Sequence, residues 1–264
     1  MSACKPPGAA LEPGWRVAAA SVRGRHHRLT GQPCQDAVLW QILPGHALAV
    51  ALADGAGSAP FGEVGAHLAV RTAIGELAGS GPVPGHWPGL DAWESRLRSA
   101  LAAGRAAVCE EAARRGDPPR DLATTLIVAV VSHQGAIAAQ VGDGGVVILD
   151  EDGQWAALSL APPGEYLNET VFLTSDSALD SIHAQSRTGR VRQLAMFSDG
   201  LQMVALRMPM GTPHKPFFDP LFRFARATGD PTALVEQLAA FLESPRLTER
   251  ADDDLTLVLA LRTD

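Results

Sequence analysis

Apolar and small residues alternate over 47–53, where "ALAVALA" sets Ala against Leu48, Val50 and Leu52. A period of two predicts a strand with one small face and one large face, packed closely on both. Strand patterns also fall at about 15–22 and 37–43. Helical spacing follows, first over about 62–77 and then over about 91–115, where Trp93, Leu97, Leu101, Val108 and Ala112 form an apolar stripe. The Pro- and Gly-rich "GSGPVPGHWPG" (79–89) reads as the linker between these two helices. Short β-branched runs at 124–132, 136–142 and 145–150 read as an antiparallel meander, continued through an Asp152-Gly153 hairpin.

After a Pro/Gly break at 162–164, apolar runs recur at 170–175 and 192–200, with a variable-looking segment at 176–190 between them. A helix is predicted near 230–242, with Asp230 as N-cap, Pro231 at the first helical position, and Leu234, Leu238 and Phe241 on one face. The chain closes on a strand of alternating Leu255, Leu257, Leu259 and Leu261. Strands and helices come in blocks, so the expected class is α+β, a layered domain with mostly antiparallel sheets. The expected domain is a single one over 14–263, with residues 1–13 as a flexible N-terminus.

Composition narrows the function classes. With 264 residues, 46% of them hydrophobic, the chain can bury a sizeable core. A net charge of −7 argues against a nucleic-acid surface and favours an acidic, cation-binding site. Cys4, Cys34 and Cys109 are scattered and odd in number, which predicts neither a disulfide framework nor a zinc site. No segment has the pattern of a signal peptide or the length of a membrane span, so a cytoplasmic protein with no membrane partner is expected.

The chemistry-bearing residues are carboxylates. Asp54, Asp199 and the Asp252-Asp253-Asp254 triplet each lie at the end of an apolar run. A carboxylate at the edge of a dry core is costly unless a cation or strong donors offset it, and several together point to a metal. Hard oxygen ligands without nearby Cys or His pairs favour Mg²⁺ or Mn²⁺ over Zn²⁺. Gly55 lets a backbone carbonyl approach the same ion. A dinucleotide site is disfavoured because Pro60 stands where the third glycine of the fingerprint belongs, and a P-loop lacks its Gly-Lys-Ser/Thr.

The ordered set "GRHHRLTGQPCQDAVL", "ALADGAGS", "DLATTLIVAVV", "AAQVGDGGVVIL", "NETVFLTS", "FSDGL" and "DDDLTLVLAL" resembles the metal-dependent protein phosphatases of type 2C over about residues 15–262. The resemblance is to a bacterial subgroup with a Gly-x-Pro-Cys-Gln-Asp opening. It implies a four-layer αββα sandwich with a binuclear Mn²⁺ or Mg²⁺ centre at one end. By matching motif, Asp54 is the bridging ligand, Gly55 the backbone ligand, and Asp199 and Asp253 further ligands of the first ion. Asp36 holds a metal-bound water, and Asp121 resembles the residue that holds a third, weaker ion in some bacterial members. Asp143 reads as a structural turn residue, and 161–190 as a flap adjusting substrate access.

Three positions depart from the family pattern. Asp254 stands where Asn is usual. Gln35 replaces the Glu of a Glu-Asp pair, which removes a negative charge near the second ion and weakens it, although its carbonyl oxygen can still ligate or orient a water. The usual phosphate-binding Arg has Gly31 at its spacing, leaving His27 or Arg28 for the phosphate contact and His27 as the nearest general acid. The implied activity is hydrolysis of phosphoserine and phosphothreonine in proteins by a metal-activated water, by a monomer opposing a Ser/Thr kinase. The rival expectation is a phosphatase-like regulatory or phosphopeptide-binding module that hydrolyses poorly because Gln35 has cost it the second metal.

Overall fold

The computed structural model describes residues 10–12, 14–79, 89–160, 170–249 and 251–263. The chain begins with β1 (Ala10–Glu12), β2 (Trp15–Val22), α1 (Arg25–Thr30), β3 (Asp36–Leu43), β4 (Ala47–Asp54), α2 (Gly62–Gly79) and α3 (Leu90–Arg115). A 3₁₀ turn (Pro119–Leu122) leads into β5 (Leu126–Val131), β6 (Gly135–Val141), β7 (Gly145–Asp150), β8 (Trp155–Leu160), β9 (His183–Thr188) and β10 (Val191–Phe197). A second 3₁₀ turn (Asp199–Leu201) precedes α4 (Gln202–Ala205), β11 (Leu206–Arg207), β12 (Thr212–Pro213), α5 (Lys215–Ala227), α6 (Pro231–Leu242), α7 (Pro245–Thr248) and β13 (Leu255–Arg262).

Two large antiparallel sheets stack face to face, in strand order β1-β2-β13-β10-β7-β8 and β3-β4-β5-β6-β9. Alternation on β4 explains the layering. Its large residues Leu48, Val50 and Leu52 pack with Val17, Ile148 and Val258 between the sheets. Its small residues Ala49, Ala51 and Ala53 face Ala66, Ala69 and Ala73 of α2, so helix and sheet approach closely. On the far side α5 and α6 cover the six-stranded sheet through Phe218, Phe222, Leu234 and Leu238. The result is the αββα sandwich that the resemblance implied. The α3 stripe is buried from Trp93 to Ala112, and Asp230 caps α6 by accepting from Thr232 N at 2.9 Å.

Other expectations differ from the structure. The meander splits after β6: β5 and β6 belong to one sheet, β7 and β8 to the other. Gly142 and Gly144, at φ +97° and +100°, turn the chain between sheets, and a Cβ on Gly142 would meet Thr125 at 2.5 Å. Residues 170–175 form turns, with Leu173 plugging the helix-side core while its N–H binds Thr124 O. The variable-looking 176–190 contains the edge strand β9, whose polar sequence carries no burial pattern. The amphipathic helix α5 went unread, since Pro216 and Pro220 interrupt its pattern. Ala10–Glu12, in the expected flexible N-terminus, pairs with β2. The 80–88 part of the predicted linker and the 161–169 part of the predicted flap lie outside the described residues.

Candidate metal centre

Strand register brings the carboxylates together. Asp36 opens β3 and Asp54 closes β4, and the two are direct partners across the ladder. In the other sheet Phe197 pairs with Leu257, so Asp199, just past β10, and Asp253, just before β13, emerge at the same end. A Thr256 hydroxyl on β13 crosses between the sheets to donate to Asp36 Oδ2 at 2.6 Å, and lies 2.7 Å from Ser21 Oγ. The Thr124-Thr125 pair anchors the end of β4: both donate to Asp54 O, at 2.9 and 2.8 Å. A Cβ on Gly55 would sit 2.5 Å from the Gly62 carbonyl carbon, so only glycine admits the first turn of α2 here.

The electrostatics of this end are those of anions lacking a counter-charge. Burial, then Asp254, raises Asp36 well above the ordinary carboxylate range. Burial raises Asp54 likewise, followed by the charges of Asp36, Asp199 and Asp253. Asp199 is pushed up to about 6 by burial and then by Asp143. The Asp199 charge raises the cost of ionising Asp54, as a like charge does in a buried site. Asp36 Oδ1 and Asp199 Oδ1 are buried without a partner. A carboxylate set with orphaned, buried lone pairs fits a hard divalent ion such as Mn²⁺ or Mg²⁺.

Asp254 serves the architecture. Its Oδ1 accepts from Gly24 N and its Oδ2 from Gln35 N, both at 2.6 Å, tying β13 to the chain ahead of α1 and β3. His27 is buried on α1 with Nδ1 2.9 Å from Asp254 Oδ2, off the line of a hydrogen bond. Ligand atoms of His27, Asp253 and Asp254 lie within 4.8 Å of one another. Cys34 sits beside this cluster, and burial followed by Asp36 and Asp254 pushes its thiol upward, which suits it poorly to nucleophilic work.

A cavity of about 560 Å³ opens over Asp199, Asp253 and His27, and Arg25 lines it. Arg28 is turned back on the chain ahead of α1: its Nε donates to Arg23 O at 2.7 Å, and it lines a neighbouring recess with Arg25, Thr248 and Glu249. Arg25 lines both that recess and the carboxylate cavity, its Nη1 3.9 Å from Asp252 Oδ1, so the arginine at the cavity is Arg25 and not the expected Arg28. Asp121 lies in the 3₁₀ turn, its carboxylate 3.9 Å from Arg120 Nε and its carbonyl bound by Phe61 N. Asp143, in the turn between sheets, accepts from Thr170 Oγ1 at 2.9 Å and also faces Asp199. Gln35 is buried, and the end of its amide that lies 3.0 Å from Gly55 O and 2.9 Å from Ala56 O is assigned as the N–H₂, because it faces only acceptors.

Known proteins resemble this chain in sequence and in fold. The family model described as "Protein phosphatase 2C" matches residues 23–243. Serine/threonine-protein phosphatase 3 of Escherichia coli (strain K12) is 39% identical over 254 residues, 94% of this chain and 98% of that protein. Among solved structures, the serine/threonine phosphatase Stp1 from Staphylococcus aureus superposes with a TM-score of 0.63 at 16% identity, covering 97% of this chain and 99% of its own. The catalytic domain of the serine threonine protein phosphatase PstP, in complex with two manganese ions, gives a TM-score of 0.59 at 21% identity, over 95% and 99%. Both share the fold.

Proposed function

The chain belongs to the protein phosphatase 2C family, and from that membership we propose how its residues carry out the reaction. It is a Mn²⁺- or Mg²⁺-dependent protein serine/threonine phosphatase acting on phosphoproteins. In our reading the domain spans 14–263 and works as a monomer opposing a Ser/Thr kinase. Asp54 would be shared by the ions; the Gly55 backbone carbonyl, Asp199 and Asp253 would help to hold them; and Asp36 would orient a water from behind. The observation that carries this assignment is the pair of buried, partnerless carboxylate oxygens on Asp36 and Asp199, at the sheet end where Asp36 and Asp54 face each other, the signature of a site built around positive charge. Asp121 is left outside the pair, beside Arg120.

Bound ions supply Lewis-acid charge to the phosphate and acidify a water for in-line attack. The protein's own residues do the rest. Thr256 fixes the Asp36 carboxylate by its 2.6 Å bond, leaving Oδ1 free to hold a water. Arg25, at the cavity wall, meets the phosphate dianion. His27, beside Asp254, donates a proton to the departing serine or threonine oxygen, and because the nucleophile is water, no covalent phosphoenzyme forms. Arg28 has no part in this scheme. The intact carboxylate set favours catalysis over the binding-module alternative.

The test is hydrolysis of p-nitrophenyl phosphate by metal-stripped protein titrated with Mn²⁺ or Mg²⁺. Turnover is expected to depend on metal and to fall about a hundredfold or more in Asp199→Asn. Equal turnover with and without metal would overturn the assignment.

A further inference from the structure

Gln35 lies against Gly55, whose backbone carbonyl is assigned to the ions: the Gln35 backbone carbonyl accepts from Gly55 N at 3.1 Å. Its side chain is buried, packed against Gly62 at the start of α2, and pinned through its own backbone N–H to Asp254. One end of the amide lies 3.0 Å from Gly55 O and 2.9 Å from Ala56 O; with two carbonyl acceptors facing it, that end is assigned as the N–H₂, which donates to both. Turned about its last bond, the same amide would press Oε1 against these two carbonyl oxygens, and three oxygens at such spacing are held together only by a cation or a bridging proton. A buried glutamate here would face both carbonyls without a donor whenever the ion is absent.

We propose that Gln35 is a latch on the second ion site. With one ion bound, the amide N–H₂ satisfies the Gly55 and Ala56 carbonyls and stands in for the second cation. The second ion enters only when the amide turns, exchanging two hydrogen bonds for coordination by Oε1 and Gly55 O. Two consequences follow from the chemistry. The centre stays ordered with a single ion, because no carbonyl is orphaned. The second ion binds about tenfold or more weakly than it would to a carboxylate, since it must displace two neutral hydrogen bonds and meets no charge from this residue. Phosphatase activity is thereby tuned to the free concentration of divalent metal. The inference rests on the binuclear reading of Asp54, Gly55, Asp199 and Asp253.

Two variants of the full chain test it, Gln35→Glu and Gln35→Met, compared with wild type by Mn²⁺ titration calorimetry and by thermal melting in EDTA at pH 8. Wild type is expected to bind one Mn²⁺ tightly and one weakly. Gln35→Glu should tighten the second ion about tenfold or more yet melt at a lower temperature in EDTA. Gln35→Met should also melt lower in EDTA, having lost both donors, and should gain nothing for the second ion. Identical melting of all three proteins in EDTA, or an unchanged second affinity in Gln35→Glu, would overturn the latch while leaving the binuclear centre standing. No Mn²⁺ binding by any of the three would overturn the centre itself, and the latch with it.

Discussion

Asp254 accepts two short backbone hydrogen bonds, from Gly24 and Gln35, and no other side chain type of its size has two acceptor oxygens. An Asn would offer one oxygen and turn an N–H₂ toward the second buried N–H. Asp254→Asn is therefore expected to lower stability by about 1–3 kcal/mol, measurable as a reduced urea midpoint of the metal-free protein. The sequence displayed Asp254 only as a departure from the family pattern. Its partner Gly24 is 230 positions away, so the reason for a carboxylate was invisible there. Asp54, Asp199 and Asp253 were legible because each ends an apolar strand, a local property. Arg28 was expected at the phosphate and Arg25 lines the cavity instead, because the Arg28 guanidinium folds back onto Arg23 O, a local contact that residue spacing does not show.

At the scale of elements, α2 is made to fit its neighbours by small residues. A Cβ on Gly65 would lie 2.1 Å from Leu122 O, in the turn that carries Asp121. Gly65→Ala must push α2 away from that turn, and it is expected to destabilise by about 1–3 kcal/mol, despite the better helix propensity of Ala. Chemical denaturation would check this, with Gly75→Ala, where a Cβ meets nothing within 4 Å, as the neutral or stabilising control. Helices α2, α3 and α6 were readable from period and capping. Strand β9 and helix α5 were not: the first is an exposed edge strand without a buried face, and the second hides its apolar face, Phe218, Leu221, Phe222 and Ala225, behind two prolines.

For the whole molecule, the fold concentrates like charges where the two sheets end, and stability becomes coupled to pH and metal. Asp199 titrates near 6 in the folded metal-free protein against an ordinary 3.8. Its folded state holds the proton longer than the unfolded chain does, so its contribution is full below the ordinary value and is lost as pH rises through about 6. Asp36 and Asp54, also raised, act in the same direction. Metal and protons compete for these oxygens, so the rise in melting temperature on adding Mn²⁺ should grow between pH 5 and 7.5. Differential scanning fluorimetry across that range checks it, and a metal-induced shift independent of pH would contradict it. By itself, the sequence determined the α+β class, most strands and long helices, and the carboxylates at strand ends, because these depend on periodicity and composition within short windows. Tertiary structure alone decided that β6 and β7 part into different sheets, that Asp254 is an anchor, and that the Gln35 amide meets two backbone carbonyls. Each of those rests on contacts between distant segments, which exist only once the two sheets stack and bring their ends together.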